Sequence, residues 1–260
     1  YGFRDERVKG LAELEYSFKK KKEYANEFPI HSLKLRYESD VNQYGQNYLY
    51  TSKDNVFLAL KREKDDRIGY FRQAEMTYTN EFYSGFSFQL TARTRKDESS
   101  YLIPFLKKEG DTYTPVKDFS ISAAELKLRY ASNEKFFQTQ WNRFPVSLDA
   151  PVFTLSHTIA GKGVLGSDYT YNHSAFCYTD VILKAGKVRD KVPFPLLIMP
   201  NANLSYTIQP ESYSLMNAME FMNDEYFSWD VTYFLNGWLF NRVPLLKKLK
   251  WREIVSCRGL

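Results

Sequence analysis

The nine residues Ser32–Asp40 read SLKLRYESD, and their centre, Leu33-Lys34-Leu35-Arg36-Tyr37, returns unchanged as Leu126-Lys127-Leu128-Arg129-Tyr130 within Glu125–Asn133 (ELKLRYASN). Apolar and charged side chains alternate strictly in both copies. Successive side chains of a strand point to opposite faces, so this period of two predicts β-strands with one apolar and one charged face. Two five-residue copies do not establish a duplication, because one physical constraint can select the same letters twice.

The same alternation runs through much of the chain, most regularly in Leu11–Lys20, Tyr70–Thr79 and Gly85–Arg95. It predicts about twelve to fourteen strands and almost no helix. Many of them are eight to ten residues long, near the roughly 9–11 residues of a tilted membrane strand and above the ~5–6 of a soluble one. Tyr213–Met222 and Tyr226–Asn236 predict a hairpin around a turn at Asn223–Glu225.

Predicted connections alternate in length, with short ones near residues 26, 81 and 224 and long ones over residues 41–54, 96–118 and 186–202. Outer-membrane barrels show this asymmetry. No apolar run approaches the ~20 residues of a membrane helix, and the longest, Phe194–Met199, is interrupted and bounded by prolines. A chain of this kind that crosses a membrane must therefore do so with strands.

Composition narrows the function classes further. Aromatic residues make up 17% of the chain, including 20 Tyr and 20 Phe, and Tyr suits a membrane–water boundary because it has an apolar body and a polar tip. The net charge of +5 is mild, and no basic patch is interleaved with aromatic residues. We therefore do not expect nucleic acid as a partner.

The charged face mixes both signs along single strands, while the opposite face has few polar interruptions in the N-terminal half. Contact with lipid requires a face with few polar side chains, because a charge facing the bilayer midplane costs ~2–4 kcal/mol. We therefore predict an all-β fold, a transmembrane antiparallel β-barrel forming one domain over residues 1–260. The predicted lumen-lining charges are Glu13, Glu15, Lys34, Arg36, Glu38, Arg93, Arg95, Glu125, Lys127, Arg129, Asp180 and Lys184.

Near the C-terminus, Val243–Lys250 is a short basic amphipathic stretch flanked by tryptophans. Such a stretch suits a membrane interface. The predicted interface residues are Trp238, Leu245, Leu246, Lys247, Lys248 and Trp251. A plain connector with a solvated lysine run is the alternative.

The sequence offers little reactive chemistry. Its two cysteines form no CxxC motif, its three histidines have no partner at metal or triad spacing, and no GxSxG elbow occurs. His157 falls on the apolar face of its strand. We predict no catalytic, cofactor-binding or metal-binding residues and no enzymatic activity.

Three segments carry a family resemblance: Tyr1–Arg7 (YGFRDER), Ser32–Asp40 and Gly237–Glu253 (GWLFNRVPLLKKLKWRE). With them the chain resembles an outer-membrane protein family of Bacteroidota. In that family a carboxypeptidase-regulatory-like domain, absent here, precedes a barrel similar to the BamA/surface-antigen superfamily. The resemblance implies an outer-membrane location and no known catalysis. It also implies a larger barrel of roughly 16 strands, with the present chain incomplete at its C-terminus and in its loops.

The leading hypothesis is a non-enzymatic protein of the bacterial outer membrane with a role in envelope biogenesis, export of protein or lipid, or transport. Its expected partners are outer-membrane lipid and other envelope proteins in a complex, and no cofactor is expected. Two rival hypotheses stay open. One is a soluble or surface-exposed β-rich binding module, and the other is an outer-membrane enzyme with a site in the lumen.

Overall fold

The computed structural model describes residues 6–20, 27–46, 67–109, 111–139, 143–146, 151–178, 181–206, 209, 211–235, 238–242 and 244–260. The described chain is built from antiparallel β-strands, as predicted. Ten strands form one sheet. In chain order the strands are β1 (Gly10–Ser17), β2 (His31–Gln43), β3 (Ile68–Glu81), β4 (Phe86–Glu98), β5 (Phe105–Glu109), β6 (Thr112–Val116), β7 (Asp118–Ala131), β8 (Phe136–Gln138), β9 (Arg143–Pro145), β10 (Val152–Ala160), β11 (Tyr171–Tyr178), β12 (Val181–Val188), β13 (Glu225–Phe234) and β14 (Ile254–Gly259).

The large sheet is a meander in which each strand pairs with the strands before and after it, in the order β1-β2-β3-β4-β7-β10-β11-β12-β13-β14. β5 with β6 and β8 with β9 form two small hairpins in the connections. Within the described residues, β1 and β14 are the two edges of the sheet, and no ladder joins them. The antiparallel sheet is therefore confirmed, and the described sheet is open.

In the part of the chain that the structure describes, helical structure is confined to short turns between strands. One α-helix, α1, spans Pro244–Lys247. Turns of 3-10 geometry cover Val164–Gly166, Phe194–Leu196 and Phe240–Arg242. Among the described residues, none of these helices has the length and apolar character needed to cross a membrane.

The two LKLRY copies lie in β2 and β7 and meet in one cross-strand row. Leu33 pairs with Tyr78 of β3, Tyr78 with Leu90 of β4, and Leu90 with Leu126 of β7. Two strands stand between the copies, which run in opposite directions. In both copies the leucines and tyrosine lie on one face of the sheet and the charged residues lie on the other. This agrees better with one physical constraint acting on two strands than with a duplicated structural unit.

The connections leave the sheet at two ends. The strands β1, β3, β7, β11 and β13 end at the hairpin end, and the strands β2, β4, β10 and β12 end at the opposite, strap end. The predicted tight turn near residue 81 is confirmed. There Gly85 has φ +84, and a Cβ on it would lie 2.1 Å from the Ala131 carbonyl oxygen, so both backbone and space require glycine.

The predicted hairpin around Asn223–Glu225 is wrong in its first half. β13 forms, but its partner on that side is β12, with Lys187 opposite Glu225. Tyr213–Met222, all of which is described, contains no strand and forms only an isolated β-bridge between Tyr213 and Ala202. The described residues of the connection from β12 to β13 (189–206, 209 and 211–224) instead form one long segment, called the strap below, that folds back over the sheet.

Candidate membrane-facing band and polar face

The two faces of the sheet have reversed exposure. On one face the row Tyr16, Leu33, Tyr78, Leu90, Leu126 runs across five neighbouring strands. On the other face the adjacent row is Glu15, Lys34, Thr77, Thr91, Glu125. Leu90 is 50% exposed, whereas Thr77 and Thr91 are 7% and 8% exposed. A water-soluble sheet shows the opposite arrangement.

The apolar band is the set of exposed apolar side chains on the first face. The members named here come from eight of the ten strands of the large sheet: Leu14 and Tyr16 of β1, Leu35 of β2, Met76 of β3, Phe86 and Leu90 of β4, Leu126 and Tyr130 of β7, Phe153 and Leu155 of β10, Phe176 and Tyr178 of β11, and Phe227, Trp229, Val231 and Tyr233 of β13. Soluble monomers rarely expose contiguous apolar patches larger than a few hundred Å².

Aromatic rings gather in this band at the hairpin end. Tyr16 contacts Phe18 at 5.2 Å between centroids, Phe18 contacts Tyr78 at 6.2 Å, and Tyr78 contacts Phe88 at 5.8 Å. Farther along the sheet, Phe153 and Tyr178 lie 4.7 Å apart. Rings at these separations attract one another beyond their area burial. These two groups of rings form an aromatic margin along one end of the apolar band.

Charged pairs bound the same face at the strap end. Glu98 pairs with Arg7 at 2.6 Å and also with Arg72, and Lys96 pairs with Asp118 at 2.9 Å. Lys96 follows Phe86 by ten residues on β4. That is ~33 Å along the strand at ~3.3 Å per residue, or ~25 Å along the normal for a tilt of ~40°. At that tilt, which is the usual one in outer-membrane barrels, the stretch from Phe86 to Lys96 would match the ~25 Å height of their apolar belt.

The opposite, polar face carries the charges that the sequence predicted for a lumen. The registers place Glu13, Glu15, Lys34, Arg36, Glu38, Arg93, Arg95, Glu125, Lys127, Arg129 and Lys184 on it together. Asp180 lies outside the described residues. That this face surrounds a lumen stays a prediction.

Several of these charges form short ion pairs. Lys34 Nζ lies 3.0 Å from Glu13 Oε1 on the neighbouring strand. Arg95 donates to both carboxylate oxygens of Asp97, at 2.7 and 2.9 Å, and Asp97 is 2% exposed. Arg129 pairs with Glu134 at 2.7 Å. A charge with little access to water needs such a partner, and the buried Asp97 carboxylate has one in Arg95.

The strap covers the polar face at the strap end. Phe194 packs against Tyr44 at 5.5 Å and Phe105 at 5.7 Å, in a cluster of buried aromatic residues completed by Phe119. Burial raises the pKa of Tyr44, the nearby Asp97 carboxylate adds to the rise, and Arg95 opposes it. The polar face thus ends in an apolar cluster, called the strap-end cluster, that the chain itself covers.

Cavities of about 380 and 290 Å³ lie between the strap and the sheet. Both are lined by Arg93 and Tyr171, whose side chains approach to 3.5 Å. Within the described part of the chain, no three His, Cys, Asp or Glu side chains form a metal-binding group. His157, on the apolar face as predicted, bonds Ser174 at 2.8 Å.

The predicted interface residues lie in the long connection at the hairpin end. Trp238 and Trp251 are more than half exposed, and Lys247 and Lys248 are exposed too. Leu245 and Leu246 belong to α1. Arg242 stacks over Trp238 at 4.1 Å, and Phe240 lies 6.3 Å from Trp251. The segment therefore combines exposed tryptophans with cations, and its contact with a membrane stays a prediction.

Sequence reasoning missed the strap. It treated part of this segment as a long loop and part as a strand. A usable signal was present, because Phe194–Met199 is apolar, lies between prolines and belongs to no alternating pattern. Apolar residues in an irregular connection usually pack inward rather than face water.

A scan of protein-family models, a search of curated proteins and a search of solved structures each gave no match to this chain.

Proposed function

We propose that this protein is a non-enzymatic β-barrel protein of the bacterial outer membrane that serves envelope biogenesis, export or transport. One observation carries the proposal, namely the reversed exposure of the sheet, whose apolar face is exposed while Thr77 and Thr91 of the polar face are buried. A bilayer solvates the apolar band, and a closed sheet encloses the polar face. The aromatic margin and the charged boundary, ~25 Å apart, fit the two interfaces of the membrane.

A membrane location makes a demand on the sheet edges. Unpaired backbone groups cost several kcal/mol each in lipid, so spanning strands occur only in closed barrels. In the membrane, the outer edges of β1 and β14 therefore pair with each other or with further strands. The expected barrel of roughly 16 strands corresponds to the second case.

Trp238 and Trp251, together with the lysines beside α1, would anchor the hairpin end at an interface. Outer-membrane lipid is then the first partner, and other envelope proteins in a shared complex are the second. The paired charges on the polar face leave room for water and a polar cargo, as in barrels whose interiors are polar.

Fractionation of cells that express the protein tests the location. We expect recovery in the outer-membrane fraction after a carbonate wash, and detergent-solubilised protein that migrates faster on a gel before boiling than after it. Recovery in the soluble pool would favour the rival β-rich binding module and would contradict the proposal. A resident outer-membrane barrel from the same cells is the positive control.

A further inference from the structure

The strap spans the sheet from its eighth strand to its second. It leaves β12 at Val188 and returns to β13 at Glu225, and between these points it reaches the turn after β2. There Ala202 N donates to Gly45 O at 3.0 Å. The approach is so close that a Cβ on Gly45 would lie 2.6 Å from Met219 N.

The strap is folded rather than loosely draped. Ala202, Leu204 and Ala218 form a buried cluster within it. Asn203 N donates to Tyr213 O at 3.1 Å, and Tyr213 N donates to Asn201 O at 2.9 Å. A segment with its own core and backbone bonds holds one position, which a solvated loop of this length would not.

Charged side chains of the polar face fasten the strap to the strands. Lys184 of β12 pairs with Glu211 of the strap. Arg258 of β14 donates to Ser212 O at 2.7 Å and pairs with Asp230 of β13 at 3.2 Å. At the other side the strap enters the strap-end cluster through Phe194. Polar bonds on one side and aromatic packing on the other thus hold the strap across the polar face.

We infer that the strap is a plug: it closes the polar interior of the barrel to free ion flow, and its release from β12 and β14 opens a conducting path. The inference rests on the proposed function, because the polar face becomes a pore only when the sheet is closed in a membrane. It excludes an open diffusion channel and assigns the strap as the element that opens.

The stem of the strap allows a clean excision. Val188 N donates to Asp224 O at 2.7 Å, which continues the β12–β13 ladder by one pair. Residues 189–223 can therefore be replaced by Asn-Gly, the preferred two-residue turn between such strands. Recorded in planar bilayers in KCl, the full-length protein should stay closed for most of the time. The excised variant should conduct at least ten-fold more, averaged over time.

A second set of variants keeps the strap and changes only its fastening. Glu211→Lys places two cations together, so openings should become several-fold more frequent. The double variant Lys184→Glu with Glu211→Lys restores the pair and should restore closure. Glu225→Lys is the matched control. It breaks the Lys187–Glu225 pair, which joins β12 to β13 on the apolar face, and it leaves the Lys184–Glu211 pair in place.

The outcomes distinguish a failure of the plug inference from a failure of the proposed membrane location. Insertion is measured independently, by flotation of vesicles that carry the protein. Wild-type protein that inserts and conducts as much as the excised and Glu211→Lys variants would overturn the inference alone. Wild-type protein that does not enter vesicles would overturn the proposed function and the inference with it. Closure restored by the charge swap, with the control unchanged, supports the plug.

Discussion

The strap-end cluster and the apolar band are both rich in aromatic and aliphatic side chains, yet they differ in what covers them. Phe105 and Phe119 are each 3% exposed, because the strap and the neighbouring connections close over them. Leu90 and Phe227, in the band, are 50% and 58% exposed among the residues that the structure describes. The protein can thus bury apolar surface where it needs to. In the described residues the apolar band is exposed, and under the proposed function lipid covers it.

The largest effect is expected where the chain provides the cover. Phe119→Ala removes a buried ring from the strap-end cluster and should lower the free energy of unfolding by ~3–5 kcal/mol. Denaturant titration of the protein in lipid vesicles measures the loss. Phe86→Ala, at the exposed aromatic margin, should lower the free energy of unfolding by less. An equal loss for the two variants would contradict the difference between the covered cluster and the exposed band.

The second effect depends on the environment. Leu90→Arg places a charge in the middle of the apolar band and should cost ~2–4 kcal/mol in lipid. The matched control is Leu106→Arg, on the small β5–β6 hairpin, where the leucine is similarly exposed. Unfolding in vesicles should show a change within ~0.5 kcal/mol for the control, as for ordinary surface sites. Equal small costs at both positions would mean that the band faces water.

A third prediction sharpens the covered side. The phenol oxygen of Tyr44 is buried and has no hydrogen-bond partner among the described residues. Tyr44→Phe removes that unsatisfied group and keeps the ring, so the free energy of unfolding should stay equal or rise by ~1 kcal/mol. Tyr101→Phe, at an exposed tyrosine, is the control and should be silent. A loss above ~1 kcal/mol would reveal a partner for the Tyr44 hydroxyl.

The smallest effect belongs to the charged boundary. Lys96 and Asp118 are both more than one-third exposed, and such pairs contribute ~0–1 kcal/mol. Lys96→Ala should therefore change unfolding by less than ~0.5 kcal/mol, with any difference vanishing in high salt. Urea titrations at low and high salt measure it. A salt-independent loss above ~1 kcal/mol would place this pair in a low-dielectric region.

The strands were predictable because each one repeats a local rule. The alternation in Ser32–Asp40 and Gly85–Arg95 specifies which side chains share a face, and the registers of β2 and β4 place them as expected. Pairing of sequential strands by short turns then gives the meander. The charges predicted for one face, Asp180 apart, share that face for the same reason.

The strap was not predictable from such a rule, because its position depends on contacts between residues far apart in sequence. Tyr213–Met222 has side chains that suit a strand, but the edge of β13 that the predicted hairpin requires is already occupied by β12. The segment instead packs against Gly45, and the Tyr213 hydroxyl donates to Gly259 O at 3.3 Å, in contacts that no local pattern encodes. Tertiary packing overrides strand propensity at this point.

The central claim is that the apolar band faces lipid, and nitroxide scanning along β4 tests it most directly. Single cysteines are placed in turn from Phe86 to Arg93, in a background carrying Cys177→Ala and Cys257→Ala, and labelled in lipid vesicles. Positions 86, 88, 90 and 92 should relax with lipid-soluble oxygen, while positions 87, 89, 91 and 93 should not. A nitroxide on the exposed β5–β6 hairpin serves as the water-facing reference. If a water-soluble relaxing agent reached the even positions of β4 as readily as this reference, the result would contradict the account.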